Sequence, residues 1–214
     1  MDNARVLSVN VGRPRPTEAK GGTTGIDKRP VDGPVEVTVP AHAKSGLSGD
    51  AICDTDHHGG PEQAVYAYAR EDLDKWEAEL GRELPGGVFG ENLTTLGVEV
   101  TGAVIGERWR VGTTLLEVSS PRIPCRTFAL WLAQERWQRT FTERALPGAY
   151  LRVVEPGAIT AGDAVEVVHR PDHGLTVGEV FRAVTLEPEL LPRLVDVAEL
   201  PAHIREQARK RVDA

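Results

Sequence analysis

The sequence predicts a mainly β fold, a barrel or sandwich of short strands, with a few packed helices and a helical segment at the C-terminal end. Three observations point there. At least seven short stretches alternate or nearly alternate in polarity and are rich in β-branched residues, the period-two pattern of half-buried strands. The chain holds 22 glycines and 15 prolines in 214 residues, above the roughly 12% of an average chain, so it turns often. Beyond Val168 the alternation stops and helical spacing replaces it.

In chain order the predicted strands are Val6 to Val11, Val35 to Val39, Ala64 to Tyr68, Arg108 to Val111, Leu115 to Val118, Tyr150 to Val154 and Ala164 to Val168. Turn signals separate them, among them Asp32-Gly33-Pro34, Ser48-Gly49-Asp50 and Ala161-Gly162-Asp163. A first helix is predicted over Glu71 to Leu80, where Leu73, Trp76 and Leu80 share a face and Gly81 ends it. A second, from about Thr127 to Trp137, is dense enough in apolar side chains to be buried on more than one side. After the linker Pro171 to Gly174, Thr176-Val177-Gly178-Glu179 fits a capping box. Apolar stripes at Val180/Phe181/Val184, at Leu190/Leu191/Leu194/Val195 and, after Pro201, at Ile204/Ala208/Val212 then predict three short helices. They are too small to be stable alone, so they dock on the β part or on a partner.

The formal charge of −7 and the absence of a basic stripe argue against a nucleic-acid surface. Nowhere do about 18 apolar residues run together, and the N-terminal stretch lacks the features of an export signal, so no membrane span is expected. The two cysteines, Cys53 and Cys125, form no C-x-x-C pair, which excludes a cysteine-based zinc module. A reducing, cytoplasmic setting is the simplest expectation. There is no Walker A loop, G-x-S-x-G elbow, H-E-x-x-H or G-x-G-x-x-G fingerprint, which leaves thiol or metal chemistry.

Cys125 is the sharpest single position. It follows Pro124 where the second helix begins, and Arg122 and Arg126 flank it, so helix end and guanidinium groups both favour the thiolate. A thiolate attacks electrophiles and binds soft metals, although most free cysteines are simply small buried side chains. The loop Cys53 to Pro61 holds Asp54, Asp56, His57 and His58, common ligand types, followed by Gly59-Gly60, whose N–H groups could meet an anion. A solvated turn explains that loop as readily. Lys28 and Arg29 could meet a phosphate, and Glu91 or Asn92 could hydrogen-bond a ligand, though surface loops need no such role. His169, His173 and His203 read as surface histidines.

Taken in order, GIDKRPV (25–31), GLSGD (46–50), HHGGPEQAVYAYAREDLDKW (57–76), FGENLTTLGV (89–98), IGERWRVG (105–112), SSPRIPC (119–125) and GDAVEV (162–167) resemble the MOSC domain family, named for the C-terminal domain of molybdenum cofactor sulfurase. LTVGEVFRA (175–183) resembles the three-helix domain appended in its bacterial YiiM-like branch. The resemblance implies a closed, strongly curved β-barrel over residues 1–170 and a small three-helix domain over 171–214. It also implies a cleft for the molybdenum cofactor, with Cys125 as molybdenum ligand or sulfur carrier, and with Lys28 and His58 acting beside it. Arg29, His57, Gly59, Gly60, Glu91, Asn92 and Arg122 would complete the cofactor-binding set. No bound flavin, NAD or haem is expected, because no fingerprint or cluster-ligating cysteines are present.

The implied activity is reduction of N-hydroxylated compounds, such as N-hydroxylated purines or amidoximes, with electrons from a separate reductase. The alternative is a non-catalytic carrier of the cofactor or of a persulfide sulfur on Cys125, serving cofactor-maturation or sulfur-donor proteins. The pyridoxal-phosphate domain of a full sulfurase is missing, so extraction of sulfur from cysteine is not expected. A third reading is a metal hydrolase built on Asp54, Asp56, His57 and His58.

Overall fold

The computed structural model describes residues 4–19 and 21–213. In chain order its elements are β1 (Arg5–Gly12), β2 (Arg15–Pro16), β3 (Thr23–Thr24), β4 (Lys28–Pro30), β5 (Val35–Val37), β6 (Val65–Ala69), α1 (Arg70–Leu80), β7 (Leu93–Leu96), β8 (Arg108–Val111), β9 (Thr114–Pro121), α2 (Arg126–Leu132), α3 (Trp137–Arg144), β10 (Ala149–Glu155), β11 (Gly157–Ile159), β12 (Val165–His169), α4 (Val177–Thr185) and α5 (Ala202–Val212), with 3₁₀ turns at Pro61–Gln63 and Pro188–Leu194.

Eight strands form one sheet in the order β12-β8-β9-β10-β6-β7-β1-β4. All neighbours are antiparallel except β6 and β7, which run parallel. Parallel neighbours need a crossover, and the predicted helix α1 supplies it. Strand β7 escapes the alternation pattern because Thr94 and Thr95 are both buried. Thr94 Oγ1 is satisfied by Glu91 and Asn10, so two hydroxyl-bearing residues sit inside without leaving an unpaired group on Thr94.

The expected closed barrel does not form. The sheet is open, with β12 and β4 at its edges. One isolated bridge, Arg5 to Ala164, joins the start of β1 to the residue before β12, and closure would require a continuous ladder. The strands that might extend it pair elsewhere, β5 with β11 and β2 with β3, as separate two-stranded ribbons.

The helix expected over Thr127 to Trp137 is two helices, α2 and α3, separated by left-handed residues at Ala133 and Arg136. Geometry explains the break. Phe128 and Trp137 are nine residues apart, about two and a half helical turns, so one straight helix would aim them in opposite directions. Broken, the two rings pack edge-to-face at 5.4 Å within a cluster that also holds Trp76, Phe89 and Phe141. This aromatic cluster lies under the site described below.

Of the three expected C-terminal helices, the middle one is the 3₁₀ turn, since Pro192 cannot donate to an α-helical ladder. Val177, Val180, Ala183, Leu191, Leu194 and Ala208 join one apolar core with Ile105, Trp109 and Val118 of the β part. The capping box forms: Thr176 Oγ1 accepts from Glu179 N at 3.2 Å, and Glu179 Oε2 accepts from Thr176 N at 3.0 Å. Thr176→Ala is therefore expected to cost about 1 kcal/mol of stability, read from the midpoint of urea unfolding. Among the described residues no helix is long and apolar enough to cross a membrane.

Candidate active site

A cleft opens among β3, β4, β6, β10 and the loops around residues 51–59 and 122–125. Lys28, His58, Gly59, Asn92, Arg122 and Cys125 all line it. Residues far apart in sequence thus share one concave surface.

Cys125 occupies the position just before α2, in extended conformation (φ −120, ψ 170). Burial alone would raise the pKa of its thiol, but a hydrogen bond from His58, the positive charge of Arg122 and the Phe128 amide together outweigh it and lower the value to about 6. The Phe128 amide acts from the first turn of α2 without completing a capping hydrogen bond. At neutral pH the sulfur is therefore largely thiolate. In a Cys53→Ser background, the rate of alkylation by iodoacetamide should rise with pH to a midpoint near pH 6 and then level off, because only the thiolate attacks. His58→Ala should move that midpoint upward.

Arg122 is 5% exposed. Its guanidinium stacks over the rings of Phe128 at 4.4 Å and Tyr66 at 5.1 Å, and Nη1 donates to the Phe89 carbonyl. No carboxylate pairs with it among the described residues, and its buried Nε has no hydrogen-bond partner. Burial disfavours its charge, but Tyr66, Tyr150 and Cys125 overcome this and raise its pKa. A buried cation needs an anion, and the Cys125 thiolate and whatever enters the cleft are the available ones.

Lys28 is different. It is 7% exposed and ion-paired with Asp50, whose side chain is fully buried. Burial lowers the Lys28 pKa, against the pull of Asp50. Asp50 is also held by Gly12 N at 2.7 Å and Asn92 Nδ2 at 2.9 Å. Asn92 Oδ1 in turn accepts from Tyr66 N at 3.1 Å. The sequence marked Asp50 only as the end of a turn; its role as the anchor of Lys28 depends on a contact 22 residues away.

Arg29, His57, Gly60 and Glu91 stand off the cleft. Glu91 is wholly buried and accepts from Gly87 N, Phe89 N and Thr94 Oγ1 at 2.6, 2.9 and 2.9 Å, so it shapes a loop. Arg29 turns outward to pair with Asp27. His57 is exposed and does not line the cleft. The Gly60 N–H, expected to be free for an anion, is spent on Lys44 O at 2.8 Å. Gly59, at φ +81, is required by packing: a Cβ there would lie 2.9 Å from the Ala43 and Lys44 backbone. Asp54, Asp56, His57 and His58 do not assemble as a metal cage, since no group of three such side chains does among the described residues. Cys53 and Tyr150, given no role by the sequence, also face the cleft.

A model of the MOSC domain matches residues 54–166. The chain belongs to the MOSC domain family. His58, Arg122 and Cys125 fall inside the matched span, whereas Lys28 and Asp50 precede it. The chain is 34% identical over 174 residues to the uncharacterized protein YflK of Bacillus subtilis, covering 80% of this chain and 76% of that one. It is 33% identical over 207 residues to a Gibberella moniliformis protein named Reductase, covering 92% of this chain but only 35% of that protein. The crystal structure of YiiM from Geobacillus stearothermophilus superimposes with a TM-score of 0.80 at 29% identity, over 98% of this chain and 99% of that one. It is thus a YiiM-like MOSC protein.

Proposed function

We propose that this YiiM-like MOSC protein is an oxidoreductase that holds a molybdenum cofactor in the Cys125 cleft and reduces N-hydroxylated compounds with electrons from a separate reductase, in the cytoplasm. The observation that carries this reading is the meeting, at one cleft, of a stabilised thiolate with a buried guanidinium that has no carboxylate partner among the described residues. The residues fit the group: Cys125 offers a soft ligand, and the orphaned Arg122 Nε suits an anionic phosphate. When bound, the cofactor supplies the redox-active metal needed to break an N–O bond.

The chain's own residues do the rest. Converting R–NHOH to R–NH₂ and water takes two electrons and two protons. His58, which hydrogen-bonds Cys125 and lines the cleft, would hand one proton to the departing oxygen. Asp50 and Asn92 hold Lys28 and the cleft wall in register. The test is formation of the amine from an N-hydroxylated purine by protein loaded in a cofactor-producing host, with reduced viologen as donor. Loaded protein that leaves the substrate intact defeats the proposal. The low thiol pKa also suits a sulfur carrier, in which case mass spectrometry should find a reducible addition of about 32 Da on Cys125.

A further inference from the structure

Cys125 is open on two sides. Besides the cleft described above, it lines a second groove that runs from the sulfur to the C-terminal helices. Asp54, His58, Gln63 and Tyr150 belong to both walls, so the two spaces meet at the thiol and Asp54 gives neither a charge that the other lacks. Their chemistry differs. The first holds Lys28 and Arg122. The second holds no lysine or arginine among its lining residues; its far wall is Val180 and Val184 of α4 with His203, Ile204 and Gln207 of α5. Three of the chain's six histidines, His57, His58 and His203, line this one groove.

We infer that the second groove admits the uncharged substrate, and that His203 and Gln207 are specificity-determining residues that hydrogen-bond it. Charge sorts the two openings: an anionic group gains from Arg122, which no carboxylate pairs among the described residues, whereas a neutral planar base or amidoxime draws nothing from that charge. The second groove offers such a molecule an apolar wall with imidazole and amide groups at its rim, the composition of a small-molecule site. His203 and Gln207 are one turn apart on α5, so both reach the same ligand face. The substrate's identity rests on the proposed reduction; the groove's access to Cys125 does not.

Access is tested first, without cofactor, in a Cys53→Ser background. Cys125 is labelled with neutral methyl methanethiosulfonate and with its anionic sulfonatoethyl analogue, and the rates are followed by intact mass. Bulky residues at exposed positions, His203→Trp and separately Gln207→Trp, should slow the neutral reagent about tenfold and leave the anionic one nearly unchanged. Equal slowing of both reagents, or of neither, overturns the inference. In loaded enzyme, His203→Ala and Gln207→Ala should raise KM for an uncharged N-hydroxylated purine while kcat and molybdenum content hold; an unchanged KM removes their assigned role. A loaded wild type that reduces nothing refutes the proposed function, and the labelling rates still decide the groove.

Discussion

Cys125→Ser is expected to empty the protein of molybdenum and pterin. Under the proposed function, wild-type protein from a cofactor-producing host carries both at near one per chain, and the variant should fall to background. Serine keeps the shape but removes the soft ligand, and its hydroxyl stays protonated at neutral pH, so His58 and Arg122 lose the anion they surround. The affinity loss should exceed the ten- to hundredfold typical of losing an outer partner, which is the range expected for His58→Ala. Misfolding is a weak alternative explanation here. Cys125 stands at the N-cap of α2, where serine is among the preferred residues, so the melting temperature should hold or rise slightly. Equal metal and pterin in the two proteins would exclude Cys125 as the ligand. Metal analysis and pterin fluorescence after oxidation read both quantities.

The legible parts of this protein were those with local physical signatures. Alternating polarity located β1, β5, β6, β8, β9, β10 and β12, and the capping box located the start of α4. Cys125 stood out because proline, helix start and arginines are neighbours in sequence. What was not legible depends on pairing across distance. Sheet closure turns on which strand accepts which edge, and β5 chose β11. The break between α2 and α3 follows from where the aromatic cluster lies, which periodicity inside one helix does not report. Glu91 illustrates the same limit. An acidic residue in a glycine turn looks like a ligand contact, yet its carboxylate is consumed by loop amides and a threonine. Arg122 moved the other way, from one flanking charge among several to the cation in the cleft without a carboxylate, because Asp50 neutralises Lys28 and nothing similar reaches Arg122.

Asp50→Ala is expected to be the most destabilising single change at the site, by about 3–5 kcal/mol, because it strands a buried ammonium. It also leaves Gly12 N and Asn92 Nδ2 without their acceptor. Lys28→Met strands the buried Asp50 carboxylate in turn, but that carboxylate keeps Gly12 N and Asn92 Nδ2 as donors, so this change should cost less. The double variant should recover part of the Asp50→Ala loss, because no uncompensated charge remains. Equal costs for the two single variants would mean that Asp50 is an ordinary partner of Lys28 and not the anchor of the cleft wall. The pH dependence gives an independent check. Burial holds the Lys28 pKa below 10.5 in the folded protein, so between that lowered value and 10.5 the unfolded chain binds more protons and stability rises with pH. Lys28→Met should remove this contribution to the slope. Asp50→Ala should enlarge it, since the carboxylate is what opposes the lowering, and denaturant unfolding between pH 7 and pH 10 should therefore separate the three proteins by slope as well as by midpoint.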